Sequence, residues 1–288
     1  MSREIKVLHL ESTDICQAAC PLCSREINPK FKNPHNQLTV DQITKHFDEQ
    51  FISNLDKMFI CGNYGDPAAG KHTLEIYKYF RYINPTIVLG MNTNGAIQNT
   101  QWWMSLAEIF VGESDYVVFS IDGLADTNHI YRRGVIWDKL MDNCKQFIES
   151  GGNAQWDMLV YKHNQHQVDE CEQLARELGF SWFRAKVSKR DHLSGLEPPT
   201  GWIDPIVKSG PINCMAVKES SVYLDARGIV HPCCWLGNSL DNILSLSDVT
   251  ATWNTENTNP TCKKICSGLE NSFTNQWQRE TNLETIKG

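Results

Sequence analysis

At 288 residues the chain exceeds one ordinary domain, so one large domain with an appendage, or two domains, is expected around an ample core. Hydrophobic residues make up 41% and charged residues 21%, and no apolar run approaches bilayer-spanning length, which argues for a globular protein and against a membrane protein. A formal net charge of −7 speaks against a nucleic-acid backbone as the main partner, because such binders carry a basic surface.

The opening "MSREIKVLHLES" lacks a long apolar segment ending in a small-residue cleavage site, so a cytoplasmic location is expected. From residue 4 to about 187 short β-rich runs alternate with amphipathic stretches, the pattern of βα units and a parallel sheet. The expected strands are 4–10, 57–61, 86–92, 115–121, 154–161 and 182–187. Between them the apolar spacing predicts helices over 39–51, with Thr39 as cap, and over 73–83, 100–110, 137–150 and 166–178, the last ended by Gly179 in a left-handed cap. Trp102 and Trp103 fall on one of these helices and read as packing residues. Residues 188–212, rich in Pro, Gly and charge, read as a linker or a covering loop. "SSVYLDARGIVHPC" then alternates around a turn at Gly228, which predicts a β-hairpin, and the polar tail after Gly268 reads as a helix or a frayed end.

Eleven cysteines in a cytosolic setting do not make a disulfide framework, so metal ligation is the leading explanation for those that cluster. Cys16, Cys20 and Cys23 form one group, and Cys214, Cys233, Cys234, Cys262 and Cys266 the other. Cys61, Cys144 and Cys171 stand alone and read as small buried hydrophobes. A zinc site takes four ligands and a disulfide two, so the tight trio either borrows a fourth ligand from elsewhere or leaves one metal position open by design. The trio follows the first strand. "CGNYGDP", "MNTNG" and "SIDG" follow the next three, so four consecutive strand ends bring polar groups to the edge where parallel βα folds place ligands.

Cys16-x3-Cys20-x2-Cys23 resembles the signature of the radical S-adenosylmethionine superfamily. The resemblance implies a partial (β/α)6 TIM-like barrel, three thiolates holding a [4Fe-4S] cluster, and S-adenosylmethionine chelated to the fourth iron. "GNYGDP" resembles that family's Gly-Gly-Glu-Pro strand end, which puts Gly65, Asp66 and Pro67 at the cofactor's ammonium, with Asp66 where the family carries Glu. By the same resemblance Asn94, Ser120, Asp122 and Asn164 lie beside the cofactor. Arg132, with Arg133 second, pairs with its carboxylate, as a guanidinium fork suits. Asn164 also reads as an ordinary helix cap.

Cys214-x13-Gly228-x4-Cys233 resembles the opening of the SPASM and twitch extensions. This implies a small C-terminal domain, containing the hairpin, that binds an auxiliary [4Fe-4S] cluster through Cys214, Cys233, Cys262 and Cys266. Cys234 is left as a substitute ligand, an idle thiol or a contact to substrate. The implied division is 1–190 for the barrel, 191–212 for a linker, 213–268 for the auxiliary domain and 269–288 for the tail. The implied activity is reductive cleavage of the cofactor and hydrogen abstraction, for net oxidation or crosslinking of a small molecule or a peptide side chain. A peptide maturase of the sulfatase-maturating type is one form of it. A reductase such as flavodoxin or ferredoxin is the implied electron donor, and oxygen sensitivity follows. The rival readings are a zinc-stabilised binding module without catalysis and an iron-sulfur carrier or sensor, for which an ordered rim of cofactor turns has no use.

Overall fold

A computed structural model of the chain describes residues 4–28, 35–188, 195–202, 207–237, 259–269 and 279–283. β1 (Val7–Leu10) leads through α1 (Ser24–Ile27), α2 (Val40–Thr44) and α3 (Glu49–Ser53) to β2 (Lys57–Cys61). Then come α4 (Thr73–Ile83), β3 (Val88–Thr93), α5 (Thr100–Ile109), β4 (Tyr116–Ser120), α6 (Asn128–Tyr131), α7 (Trp137–Glu149), β5 (Ala154–Val160), α8 (Val168–Leu178) and β6 (Trp182–Val187). The C-terminal part adds β7 (Val207–Ile212), α9 (Met215–Lys218), β8 (Ser221–Leu224), β9 (Val230–His231), α10 (Pro260–Cys266), β10 (Ser267–Leu269) and β11 (Arg279–Asn282).

The α/β class expected from the alternation is what forms. Strands β1 to β6 lie side by side in sequence order, all parallel, as repeated right-handed βα units dictate. The complete sheet runs β11-β6-β5-β4-β3-β2-β1-β8-β9, and its two ends do not pair with each other among the described residues, so the barrel stays open. Along the strands, side chains that face the helices are fully buried, as Met58 and Ile60 are, whereas the alternate Lys57, Phe59 and Cys61 are half-buried on the concave face. The helix side is packed with aromatics. Trp103 of α5 meets Phe119 of β4 at 5.3 Å and Phe147 of α7 at 6.2 Å between ring centroids, while Trp102 is half-buried beside it.

The expected helix over 39–51 is two helices. Thr39 and Gln42 form a reciprocal capping box for α2, but the chain turns after Thr44 and Asp48 caps α3 through the Phe51 amide at 2.8 Å. The other four helices begin and end within two residues of expectation, and Gly179 closes α8 in the left-handed region at φ 89°. The hairpin at Gly228 forms as β8 and β9, with φ 78° at that glycine. Its placement was not anticipated: β8 lies parallel to β1, so the hairpin extends the main sheet. Part of the expected linker is also strand, since β7 pairs antiparallel with β10, while 189–194 and 203–206 lie outside the described residues. In the tail, β11 covers the open edge of β6 where a helix or frayed end was expected, and 270–278 and 284–288 lie outside the described residues. An unpaired strand edge offers a row of backbone groups that even a polar segment such as "RETN" can satisfy.

Candidate functional site

The cysteine loop leaves β1 at Glu11 and is fastened at many points. Asp66 N donates to the Ile15 carbonyl at 2.8 Å, Ala19 N to that of Arg133 at 2.8 Å, and the buried Arg25 guanidinium holds the carbonyls of Cys16, at 2.6 Å, and Ala18. The turn after β2 fits against this loop so closely that a Cβ on Gly65 would stand 1.9 Å from the Thr13 oxygen, which makes glycine obligatory there.

Asp66 is buried in that turn and ties the ends of β2 and β3 together. Its Oδ1 accepts from Thr93 Oγ1 at 2.8 Å and Ala68 N at 3.0 Å, and its Oδ2 accepts from Asn94 N and Asn94 Nδ2, both at 2.7 Å. Burial raises the Asp66 carboxyl, and these donors oppose the rise. Pro67 opens the short 3-10 turn that Asp66 caps. Asn94 continues the chain of contacts into the cysteine loop: Gln17 Nε2 donates to its Oδ1 at 2.7 Å, and its Nδ2 stands 3.5 Å from Cys16 Sγ.

Around β4 and β5 the same kind of latch recurs. Asp122 is fully buried, accepting from Leu159 N at 2.6 Å and from Arg132 Nε at 2.6 Å. The Arg132 charge and a hydrogen bond from it act on Cys20, opposing the burial that raises the Cys20 thiol. Arg132 therefore links Asp122 to the cysteine loop. Asn164 is fully buried; its Nδ2 donates to the Asp122 and Leu159 carbonyls at 2.9 Å and its Oδ1 accepts from Tyr161 N, so it joins two strand ends and does not cap the 3-10 turn that follows. Ser120, half-buried at the end of β4, is in register with Asp157 of β5.

The three loop sulfurs are close enough to act on one another electrostatically, Cys20 with both Cys16 and Cys23. Burial pushes the Cys16 thiol up to about 12, while Ala18 N at 3.4 Å and Asn94 Nδ2 point donors at its sulfur. Amide donors aimed at sulfur and a set of three thiols on one loop fit an iron-sulfur cluster whose cation would deprotonate them. As placed, no three His, Cys, Asp or Glu side chains among the described residues form a group able to hold a metal ion, so loading requires the side chains to turn to a common centre.

The C-terminal cysteines are gathered differently. β7 and β10 set Ile212 opposite Ser267, and Asn213 N donates to the Cys266 carbonyl at 2.6 Å, which brings Cys214 and Cys266 to neighbouring ends of one ribbon. Cys262 lies one turn before Cys266 on α10, and both Cys262 and Cys233 feel the Cys214 charge. The charges that act on Cys234 are those of Cys61 and Glu11. Cys144 and Cys171 are in the core as expected; Cys61 departs from that reading, being half-buried at the end of β2 on the concave face.

Glu11 was missed in the sequence. Its Oε1 accepts from Tyr64 N at 2.6 Å and Gly65 N at 3.0 Å, and its Oε2 accepts from the Tyr223 hydroxyl of β8, so one buried carboxyl joins the turn after β2 to the C-terminal hairpin. Burial pushes it up to about 7 against those three donors. The available signal was an acid ending the apolar run "VLHLE" just ahead of the cysteines.

An open parallel barrel with a three-cysteine loop at the carboxyl end of its first strand is the arrangement of a cofactor-dependent α/β enzyme. The Radical SAM superfamily model matches residues 10–179, and the chain belongs to that superfamily. No curated protein is matched by the sequence. Among solved structures, Streptococcus suis SuiB bound to S-adenosylmethionine is similar with a TM-score of 0.61 and 14% identity over 87% of this chain; the chain spans 66% of that protein. SuiB bound to its precursor peptide SuiA gives a TM-score of 0.63 and 15% identity, covering 92% of this chain and 72% of that one. Native anSMEcpe with bound AdoMet and the Cp18Cys peptide gives 0.59 and 13%, covering 90% and 82%. No helix among the described residues is long and apolar enough to cross a membrane.

Proposed function

We propose that the chain is a radical S-adenosylmethionine enzyme that oxidises or crosslinks its substrate, a small molecule or a peptide side chain. The observation that carries the reading is the tie, through Asp66, Asn94 and Arg132, of the cysteine loop to the ends of β2, β3 and β4. Cys16, Cys20 and Cys23 would hold the [4Fe-4S] cluster. Bound there with S-adenosylmethionine, the cluster would supply the electron that splits the cofactor and so the 5′-deoxyadenosyl radical that takes a substrate hydrogen.

This chain's residues would position and shield that chemistry. Gly65 and Pro67 offer backbone at the turn nearest the loop, which suits the cofactor's ammonium, while Asp66 spends its carboxylate on fixing that turn. Ser120 and Asp122 mark the β4 end toward the ribose or carboxylate, and Asn164 supports it from below. Arg132 gives Nε to Asp122 and a further hydrogen bond to Cys20, and its other guanidinium donors would serve the cofactor carboxylate.

Cys214, Cys233, Cys262 and Cys266 would hold an auxiliary [4Fe-4S] cluster in a twitch-like segment. Cys233 is preferred to Cys234 because the Cys214 charge acts on it, whereas Cys61 and Glu11 are the charges that act on Cys234. Such a cluster would accept an electron from the substrate or anchor it, with flavodoxin or ferredoxin as the reductant. SuiB and anSMEcpe, seen with bound peptides, make a peptide side chain a reasonable first class to screen. Anaerobic turnover with dithionite and deuterated candidate pools tests the whole reading. Deuterium carried from a substrate into 5′-deoxyadenosine is the expected result, and a cofactor left intact under all conditions would refute it.

A further inference from the structure

The concave face of the sheet carries charges that the cofactor rim does not use. On β5 and β6, Asp157 accepts from Arg184 Nε at 2.8 Å and also from Arg184 Nη2, a two-point ion pair. Lys186 Nζ then lies 2.6 Å from the same Oδ2. Burial alone would raise the Asp157 carboxyl, yet the Arg184 hydrogen bond and the Lys186 and Arg184 charges outweigh it and hold the carboxyl low. One carboxylate thus faces two cations. Glu280 of β11 stands 3.8 Å from Arg184 on the outer side, and Lys186 meets Asp157 alone among the described residues.

The Lys186 ammonium is poised toward the open interior. Its side chain is 39% exposed whereas that of Asp157 is 11% exposed, and the charges of both act on Cys61 at the end of β2. Its height is fixed by register. Lys186 pairs with Leu159, whose amide binds Asp122, and Asp122 holds the Arg132 that acts on Cys20. Below it the face is lined by Tyr116, Phe59 and Lys57, with the Lys57 ammonium already spent over both rings at 4.7 and 5.3 Å.

We infer that Lys186 is the centre of an anion-binding position in the barrel, which takes a carboxylate or phosphate group of the substrate and sets the rest of the molecule between β6 and the cysteine loop. Asp157 and Glu280 match Arg184 and Lys186 in charge, but the part-exposed Lys186 ammonium spends one contact on Asp157 and keeps donors to spare, which either group can accept. The acidic chain as a whole repels anions, so an ammonium open to the interior with free donors would receive them at one place. That the occupant is the substrate rests on the proposed function; that an anion binds does not.

The test uses the reconstituted enzyme with S-adenosylmethionine, labelled with 15N-lysine, with the Lys186 ammonium resonance assigned by its loss in Lys186→Arg. Sodium phosphate and sodium succinate are titrated separately at constant ionic strength, because screening alone shifts exposed lysines. The Lys186 resonance is expected to shift and saturate with one or both, and which one does so separates phosphate from carboxylate. By calorimetry Lys186→Gln should weaken that anion by about tenfold or more, the worth of one charge-assisted hydrogen bond, while Lys186→Arg keeps most of the affinity. A Lys186 resonance that moves no more than those of exposed lysines, or an affinity unchanged in Lys186→Gln, overturns the inference. Saturating anion binding by an enzyme that never cleaves S-adenosylmethionine would refute the function and keep the site. Cleavage without anion binding would do the reverse.

Discussion

The loop that carries Cys16, Cys20 and Cys23 and the segment that carries Cys214, Cys233, Cys262 and Cys266 hold their sulfurs by different means. The first hangs from a strand end and is latched sideways by buried side chains from three neighbouring strand ends, Asp66, Asn94 and Asp122 with Arg132. The second rests on short elements, a two-stranded ribbon and the short helices α9 and α10, and reaches the sheet through β8 and the Tyr223–Glu11 hydrogen bond. Preorganisation of the first region suits a site where a bound cofactor must be met in one geometry; the second, holding the cluster proposed for it, would gain order through metal as much as through packing.

The sharpest way to break that contrast is at Cys20. Cys20→Ala should take cofactor cleavage to background with the fold intact, read as 5′-deoxyadenosine formed and by circular dichroism; retained cleavage would remove Cys20 from the ligand set. Next in size is the latch itself. Arg132→Met leaves the fully buried Asp122 carboxylate without its cation and should cost about 3–5 kcal/mol in urea unfolding. A loss under about 1 kcal/mol would show that the pair is as weakly coupled as a surface one.

The connection between the two regions gives a pH prediction. Glu11 is raised to about 7, so the folded state binds its proton more tightly than the unfolded chain, and its contribution to stability is complete below about 4.5 and lost as pH rises to about 7. His9, lowered to about 4 by burial against the help of the Cys61 carbonyl, acts in the opposite sense, destabilising as pH falls through the same range. The two slopes should largely cancel in the parent protein. Glu11→Gln should uncover the His9 slope, so that stability climbs from pH 4 to 6.5, by about 2 kcal/mol or more for shifts of this size. Parallel pH curves for the two proteins would mean that Glu11 is not the titrating link. The mildest change belongs to the C-terminal segment: Cys262→Ala should lower reconstituted iron from about eight to about four per chain, the loop retaining its share. Iron unchanged at about eight would take Cys262 out of the auxiliary site.

The contrast also marks what was legible beforehand. The parallel strands were readable because each is a short apolar run ending in a turn that must bring polar groups to one edge, and the hairpin because Gly228 sits between alternating residues. β11 was hidden since "RETN" has no apolar pattern and is a strand through the bare edge of β6 alone. The resemblance singles out Asp122 and Arg132 separately as expected cofactor contacts, but their pairing with each other depends on a backbone path that spacing does not reveal. Asp157, Arg184 and Lys186 were likewise invisible as a group, because they meet only when β5 and β6 are set in register.

The most direct measurement is made on the anaerobically reconstituted wild-type protein, incubated with S-adenosylmethionine and dithionite and assayed together for bound metal and for 5′-deoxyadenosine. The account predicts iron and sulfide in the chain and steady release of the cleaved nucleoside. A protein that retains zinc alone and returns the cofactor whole would contradict it.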